Sequence, residues 1–214
     1  WFVSDRVGRL LCVDASSDAI EVARENLRGK TNVEFLVASV GDEVVADGSM
    51  DFGYSLGVLH HVPDTQGAID ACFRMLKPGA PFLVYLYFAM DNRPAWYRMI
   101  WRASDALRKG VCVLPLPLRN AATEVIALIV YWPLARIARL LDSLGKDTSS
   151  WPLSDYKDSS YYRMRHNARD RFGTPLEKRF SRAEIEAMLH KAGADQVTFR
   201  EALPYWCALA YKQS

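Results

Sequence analysis

Two adjacent histidines, His60 and His61, follow a short apolar run, and a side chain that titrates near neutrality is the commonest general acid or base. An acid, Asp14, closes another apolar run, Arg9 to Val13 (RLLCV). At the carboxyl end of a buried strand such a carboxylate can accept both ribose hydroxyls of an adenosine. A charge-assisted hydrogen bond of that kind is worth about 1.5–3 kcal/mol. The same side chain can instead cap the turn into the next helix, and NAD-binding folds use an acid in this place too, so Asp14 alone names no cofactor. Further on, Tyr161 to Pro175 (YYRMRHNARDRFGTP) gathers Arg163, Arg165, Arg169 and Arg171 around His166. Guanidinium groups pair bidentately with carboxylates and phosphates, although a solvated helix face has the same composition. The four cysteines, Cys12, Cys72, Cys112 and Cys207, form no CxxC pair, so no zinc or other metal site and no disulfide framework is expected.

These residues need elements to position them. RLLCV reads as a buried parallel strand, and Ser16 or Ser17 caps a helix that stops near Gly29. Val33 to Val37 is the next strand, and Met50 to Ser55 a third. Pro63 and Asp64 open a helix closed by Lys77-Pro78-Gly79, and Ala80 to Phe88 (APFLVYLYF) is a long apolar strand. This alternation is the signature of βαβ crossovers on a parallel sheet. Residues 91–175 break it with four of the six tryptophans and the apolar runs Gly110 to Leu118 and Val125 to Ala135. Glu124 and Arg136 bracket too short an uncharged stretch for a membrane span, which needs about 20 apolar residues. A helical insertion that packs on the sheet or covers a pocket fits better. Ser181 and Glu184 then form a capping box before a helix ending at Gly193, and Val197 to Glu201 and Tyr205 to Tyr211 read as an antiparallel edge pair.

The composition, 50% hydrophobic and 24% charged over 214 residues, excludes a disordered chain and a disulfide scaffold. The net charge of +2 hides an asymmetry. Residues 1–90 carry 7 Lys/Arg against 12 Asp/Glu, residues 91–214 carry 20 against 13, and Lys157 to Arg182 holds eight against three. A basic patch of this kind suits an anionic substrate or a membrane surface. The chain opens on Trp1 with no signal-peptide pattern, and a reducing, cytoplasmic setting is expected.

The stretch DFGYSLGVLHHVPD (Asp51 to Asp64), the turn in FRMLKPGAPFLVYL (Phe73 to Leu86) and the late run FSRAEIEAMLHKAGADQVTF (Phe180 to Phe199) resemble the class I S-adenosylmethionine-dependent methyltransferases, in particular their small-molecule branch. The resemblance covers residues 9–90 and about 170–211. It implies an α/β, Rossmann-like, doubly wound and mostly parallel sheet with an antiparallel edge. The core would comprise residues 1–90 and 176–214, with a helical insertion or lid at 91–175 after the family's fifth strand. It implies S-adenosylmethionine as cofactor, held by Asp14 and Ala15 at the ribose, Ser39 and Val40 at the adenine, and Ser55 and Leu56 at the methionine end. Ser39 stands where the family usually has an acid. The family's first strand and glycine-rich loop precede the acid by about 20 residues, whereas Asp14 has 13 before it, so both are expected upstream of this chain. His60 and His61 are the candidate bases, with neither preferred, and Arg163, Arg165, His166 and Arg169 the candidate acceptor contacts.

Methyl transfer at a sulfonium-activated carbon asks the protein mainly for alignment, which can supply roughly 7–11 kcal/mol, and for proton removal when the acceptor is a hydroxyl. The expected partner is a small-molecule acceptor, partly apolar or anionic, with no nucleic-acid substrate; the apolar insertion also suits a dimer interface or peripheral membrane contact. Two other readings are a catalytically silent methyltransferase-like binding or assembly module and a nucleotide-dependent dehydrogenase.

Overall fold

In a computed structural model of the chain, residues 2–91, 93–201 and 206–214 are described. They form two compact units, residues 1–89 with 178–214 and residues 90–177.

In the first unit, β1 (Leu10–Asp14) leads into α1 (Ser17–Asn26), capped by Ser16, whose hydroxyl accepts the Ala19 N–H at 3.3 Å. β2 (Val33–Val37) returns parallel to β1, in register from Leu10 opposite Val33 to Asp14 opposite Val37. β3 (Gly53–Leu56) precedes α2 (Thr65–Met75), whose N-cap Asp64 accepts the Gly67 N–H at 2.9 Å. β4 (Pro81–Tyr85) pairs parallel with β3 and antiparallel with the last strand, β6 (Cys207–Lys212). β5 (Ala194–Phe199) closes the edge antiparallel to β6. The sheet is thus in two pieces, β1–β2 and β3–β4–β6–β5. Among the described residues no strand pairs with the second edge of β1 or of β3.

The core follows from the pleat of β4. Phe82 and Val84, with Leu86 just past the strand, alternate onto one buried set with Ile69 and Phe73 of α2 and Leu76 at its C-cap. Gly53 is required there. A Cβ on it would sit 3.1 Å from the Phe82 ring and 3.3 Å from Leu76, so a larger residue in β3 would push β4 or α2 away. On the same core lie Ile185 and Leu189 of α7 (Arg182–Lys191).

The expected capping box of α7 is present. Ser181 accepts the Glu184 N–H at 3.3 Å, and Glu184 accepts the Ser181 N–H at 2.7 Å. Ser181→Ala should lower stability by about 1 kcal/mol, read as a shift in urea midpoint with an unchanged slope.

Four boundaries differ from expectation. β3 spans Gly53–Leu56 rather than Met50 to Ser55, and Met50 instead bridges Leu76. β4 ends at Tyr85 rather than Phe88; Phe88 instead bridges Phe180, drawn by the Ala89 N–H to Phe180 carbonyl bond at 2.9 Å. β5 spans Ala194–Phe199, starting directly after Gly193, whose φ of +97 reverses the chain out of α7, and stopping before Arg200. β6 begins at Cys207; Tyr205, where that strand was expected to begin, lies outside the described residues.

The second unit is helical: α3 (Ala95–Val111), α4 (Leu116–Ile126), a π-helical segment (Ala127–Tyr131), α5 (Trp132–Ser143) and α6 (Tyr161–Gly173). Val111, Ile126, Ala127, Tyr131, Ala135, Met164, Ala168 and Phe172 make its own core. The run Gly110 to Leu118 is split between the end of α3 and the start of α4, with Pro115 as the N-cap of α4 and a second proline in its first turn. Among the described residues no helix is long and apolar enough to cross a membrane.

Candidate functional site

The residues singled out at the cofactor end lie at the carboxyl ends of β1, β2 and β3, where α/β folds bind ligands. Asp14 ends β1. Its Oδ1 accepts the Ser16 N–H at 2.8 Å, the capping role, while Oδ2 has no hydrogen bond among the described residues, so capping leaves an acceptor for a diol. Ala15 is exposed beside it. β2 runs out at Val37, and the Ala38 N–H donates to the Asp14 carbonyl at 3.0 Å, tying the two strand ends together. The turn that follows is closed by Asp42, whose carboxylate accepts the Ser39 N–H at 2.7 Å. Ser39 itself is exposed, and Val40 is half-buried against the core. Asp42 therefore supplies a carboxylate at the very turn where Ser39 lacks one. The Ser-x-x-Asp spacing of an ST or Asx-type turn was the sequence signal for it.

Ser55 and Leu56 pair with Val84 and Tyr85 across the parallel ladder, and the Gly57 N–H extends it by one bond to the Tyr85 carbonyl at 2.9 Å. Gly57 has φ +76, a left-handed conformation that turns the chain off the strand end. A one-turn 3-10 helix, Leu59–His61, then carries the two histidines.

Their environments differ. His60 is fully buried, its ring stacked on Tyr87 at 3.7 Å between centroids and tilted against His61 at 4.1 Å. Neither ring nitrogen has a hydrogen-bond partner among the described residues. Burial first, then the charges of His61 and Arg179, push its pKa down from 6.5 to about 3. His60 is thus a neutral ring at ordinary pH and a feeble proton acceptor. His61 is only half-buried and meets Tyr87 edge-on at 5.6 Å. Arg179 lies over the other ring of this cluster, 5.2 Å from the Tyr87 centroid. Tyr87 and Arg179 were not singled out from the sequence, because the contact joins the end of β4 to the approach to α7, ninety-two positions later.

The remaining expected residues, Arg163, Arg165, His166 and Arg169, all lie on α6 of the second unit. They do not act as one cluster. Arg163 is exposed; Arg165 and Arg169 approach the Glu124 carboxylate at 3.7 and 3.4 Å, and Tyr161 donates to its other oxygen at 2.9 Å. Of these, only His166 and Arg169 line a shallow cleft of about 410 Å³, together with Arg119 and Asn120 of α4, Asp170 and Gly173 of α6, and Thr174 just past its end. Part of the positive charge read along α6 is therefore neutralised within the unit by Glu124, a residue the sequence marked only as the bracket of an apolar run.

With this geometry in view, the likeness to known proteins becomes specific. Residues 2–84 match the family described as a methyltransferase domain. Over that stretch the chain is similar to the S-adenosylmethionine-dependent methyltransferases. The chain is 35% identical over 86 residues to a ubiquinone biosynthesis O-methyltransferase of Thiobacillus denitrificans, covering 39% of this chain and 35% of that protein. It is also 35% identical over 74 residues to an arsenite methyltransferase of Halobacterium salinarum, covering 34% and 19%. The chain spans about a third of the length of the ubiquinone-pathway relatives it matches. In fold, a methyltransferase of Methanosarcina mazei superposes with TM-score 0.55 at 16% identity, covering 99% of this chain and 85% of the other.

The family implies S-adenosylmethionine, and the residues present fit its nucleoside end. Asp14 keeps one carboxylate oxygen unbonded at the end of β1, and the Val40 N–H has no partner among the described residues.

Proposed function

We propose that the protein transfers a methyl group from S-adenosylmethionine to a small-molecule acceptor. The observation that carries this reading is the pair of strand ends joined by the Ala38 N–H to Asp14 carbonyl bond, which brings the Ser39–Val40 turn after β2 beside the Asp14 carboxylate on β1. In this reading Asp14 accepts the ribose hydroxyls while Ala15, with no bulky side chain, leaves room beside it. The Val40 N–H meets the adenine ring, with Ser39 or the neighbouring Asp42 carboxylate accepting from its amino group. Ser55 and Leu56 line the methionine end. The cofactor supplies an electrophilic methyl carbon; the protein's part is to hold it and to bring the acceptor into line.

Of the two histidines, His61 is the better base, because it is only half-buried while His60 is held neutral in the core. The relatives' names point to acceptors as unlike as an intermediate of ubiquinone biosynthesis and arsenite, so they support small-molecule methylation as a class. For an anionic acceptor group, His166 and Arg169, with Arg119 beside them, are the proposed contacts; Arg163 and Arg165 would serve as an outer rim.

The test is a calorimetric titration of S-adenosylhomocysteine into the chain. Asp14→Ala should weaken binding by about 10- to 100-fold, matching one to two charge-assisted hydrogen bonds. Equal affinity of the variant would remove Asp14 from the site. His61→Ala should keep the affinity and lose turnover against a panel of hydroxyl acceptors, whereas His60→Ala should show no such selective loss.

A further inference from the structure

From Leu116 to Ser143 the chain of the second unit is one continuous helical rod, about 42 Å long at 1.5 Å per residue. Its pattern is inverted. The face turned into the unit's core is built largely of small side chains, Thr123, Ala127, Ala135 and Ala138 among them, all fully buried. The face turned outward carries Leu118, Val125, Leu128, Ile129, Leu140 and, just past the helix end, Leu144, each between 52% and 65% exposed. A helix of a water-facing unit carries polar residues there, and one that is apolar all round is covered by something.

We propose that this outer face is a docking surface for an anionic lipid bilayer, on which the rod lies parallel to the membrane plane. The rod bears exposed Trp132, and α3, which packs on α4, bears exposed Trp96. Such rings, with an apolar body and one N–H, suit the boundary between headgroups and acyl chains. On α3 the exposed Met99 and Ile100 are interleaved with exposed Arg98 and Arg102. Residues 90–177 carry 14 Lys/Arg against nine Asp/Glu, so the unit is positive and complements phospholipid headgroups. A second copy carries the same net positive charge and so offers the unit no charge complementarity. No helix is long and apolar enough to span, among the described residues, so the surface is interfacial rather than transmembrane.

Sedimentation with vesicles of phosphatidylcholine containing phosphatidylglycerol, against vesicles of phosphatidylcholine alone, tests this without reference to methyl transfer. The protein should pellet with the anionic vesicles, and less so in high salt. The double variant Ile129→Glu, Leu140→Glu, whose sites are exposed and whose fold circular dichroism can verify, should bind at least about tenfold more weakly. Arg98→Gln with Arg102→Gln should lose the preference for anionic lipid while keeping the fold. Failure of the unaltered protein to pellet with anionic vesicles would overturn the proposal. So would pelleting of the Glu variant equal to it, or a dimer in light scattering that the Glu variant converts to a monomer.

Discussion

Arg108→Met should lower the stability of the second unit by about 3–5 kcal/mol. Arg108 is only 4% exposed, and its guanidinium makes three hydrogen bonds. Its Nε donates to Asp105 at 2.8 Å and its Nη1 to the carbonyls of Thr174 and Pro175 at 2.9 and 3.2 Å, which pins the segment leaving α6 onto α3. Methionine keeps most of the stem's packing and removes the charge. It strands the half-buried Asp105 with Lys109 alone, at 3.0 Å, and leaves two carbonyls without their donor. Burial raises the Asp105 carboxyl pKa, but the hydrogen bonds from Arg108 and Lys109 outweigh it and hold the group below its usual range. Removing the carboxylate as well, in Arg108→Met with Asp105→Leu, should recover part of the loss, since an unpaired buried charge costs more than an absent pair. Four of the six tryptophans fall in this unit, so urea unfolding followed by tryptophan fluorescence reads it directly. A loss below about 1 kcal/mol would mean that the pair is solvated and structurally idle.

The second large effect is acid sensitivity through His60. In the folded chain its pKa is about 3, against 6.5 unperturbed. Above pH 6.5 the ring is neutral folded or unfolded and contributes nothing to pH dependence. As pH falls below 6.5 the unfolded chain takes up a proton that the folded chain refuses, so stability declines toward pH 3 by up to about 1.4 kcal/mol per pH unit. Between about pH 6.5 and 4.5 the decline should reach roughly 2–3 kcal/mol. The Glu34 carboxyl beside Arg9 and the Asp5 carboxyl beside Lys30 are held below the usual carboxylate range by those partners. His60→Phe, which preserves the stack on Tyr87, should flatten the profile there whatever its effect at neutral pH. Parallel profiles for the two proteins would show that the buried ring is protonated in the fold.

Much of the first unit was legible in the residues because its signals are local. Periodicity two in β4, the caps at Ser16, Asp64 and Ser181 and the turn at Gly193 each act within a few positions, and each element formed where its own backbone and pattern required. Asp14, Ser39 and Ser55 could be placed at strand ends for the same reason. Apolar runs are less informative: Gly110 to Leu118 reads equally as strand or helix end, and only its neighbours and prolines decide.

What the sequence by itself determined, then, is the order of strands and helices, the caps that bound them and the candidate residues at the strand ends, since all of these depend on interactions between near neighbours in the chain. Tertiary structure alone decided which charges are spent and which rings are buried. Glu124 neutralises Arg165 and Arg169 from another helix, Arg108 is consumed by carbonyls 66 and 67 positions away, and His60 becomes a neutral core ring because Tyr87 and the surrounding core exclude water from it. Desolvation and ion pairing depend on what packs across space, and no spacing along the chain encodes that distance.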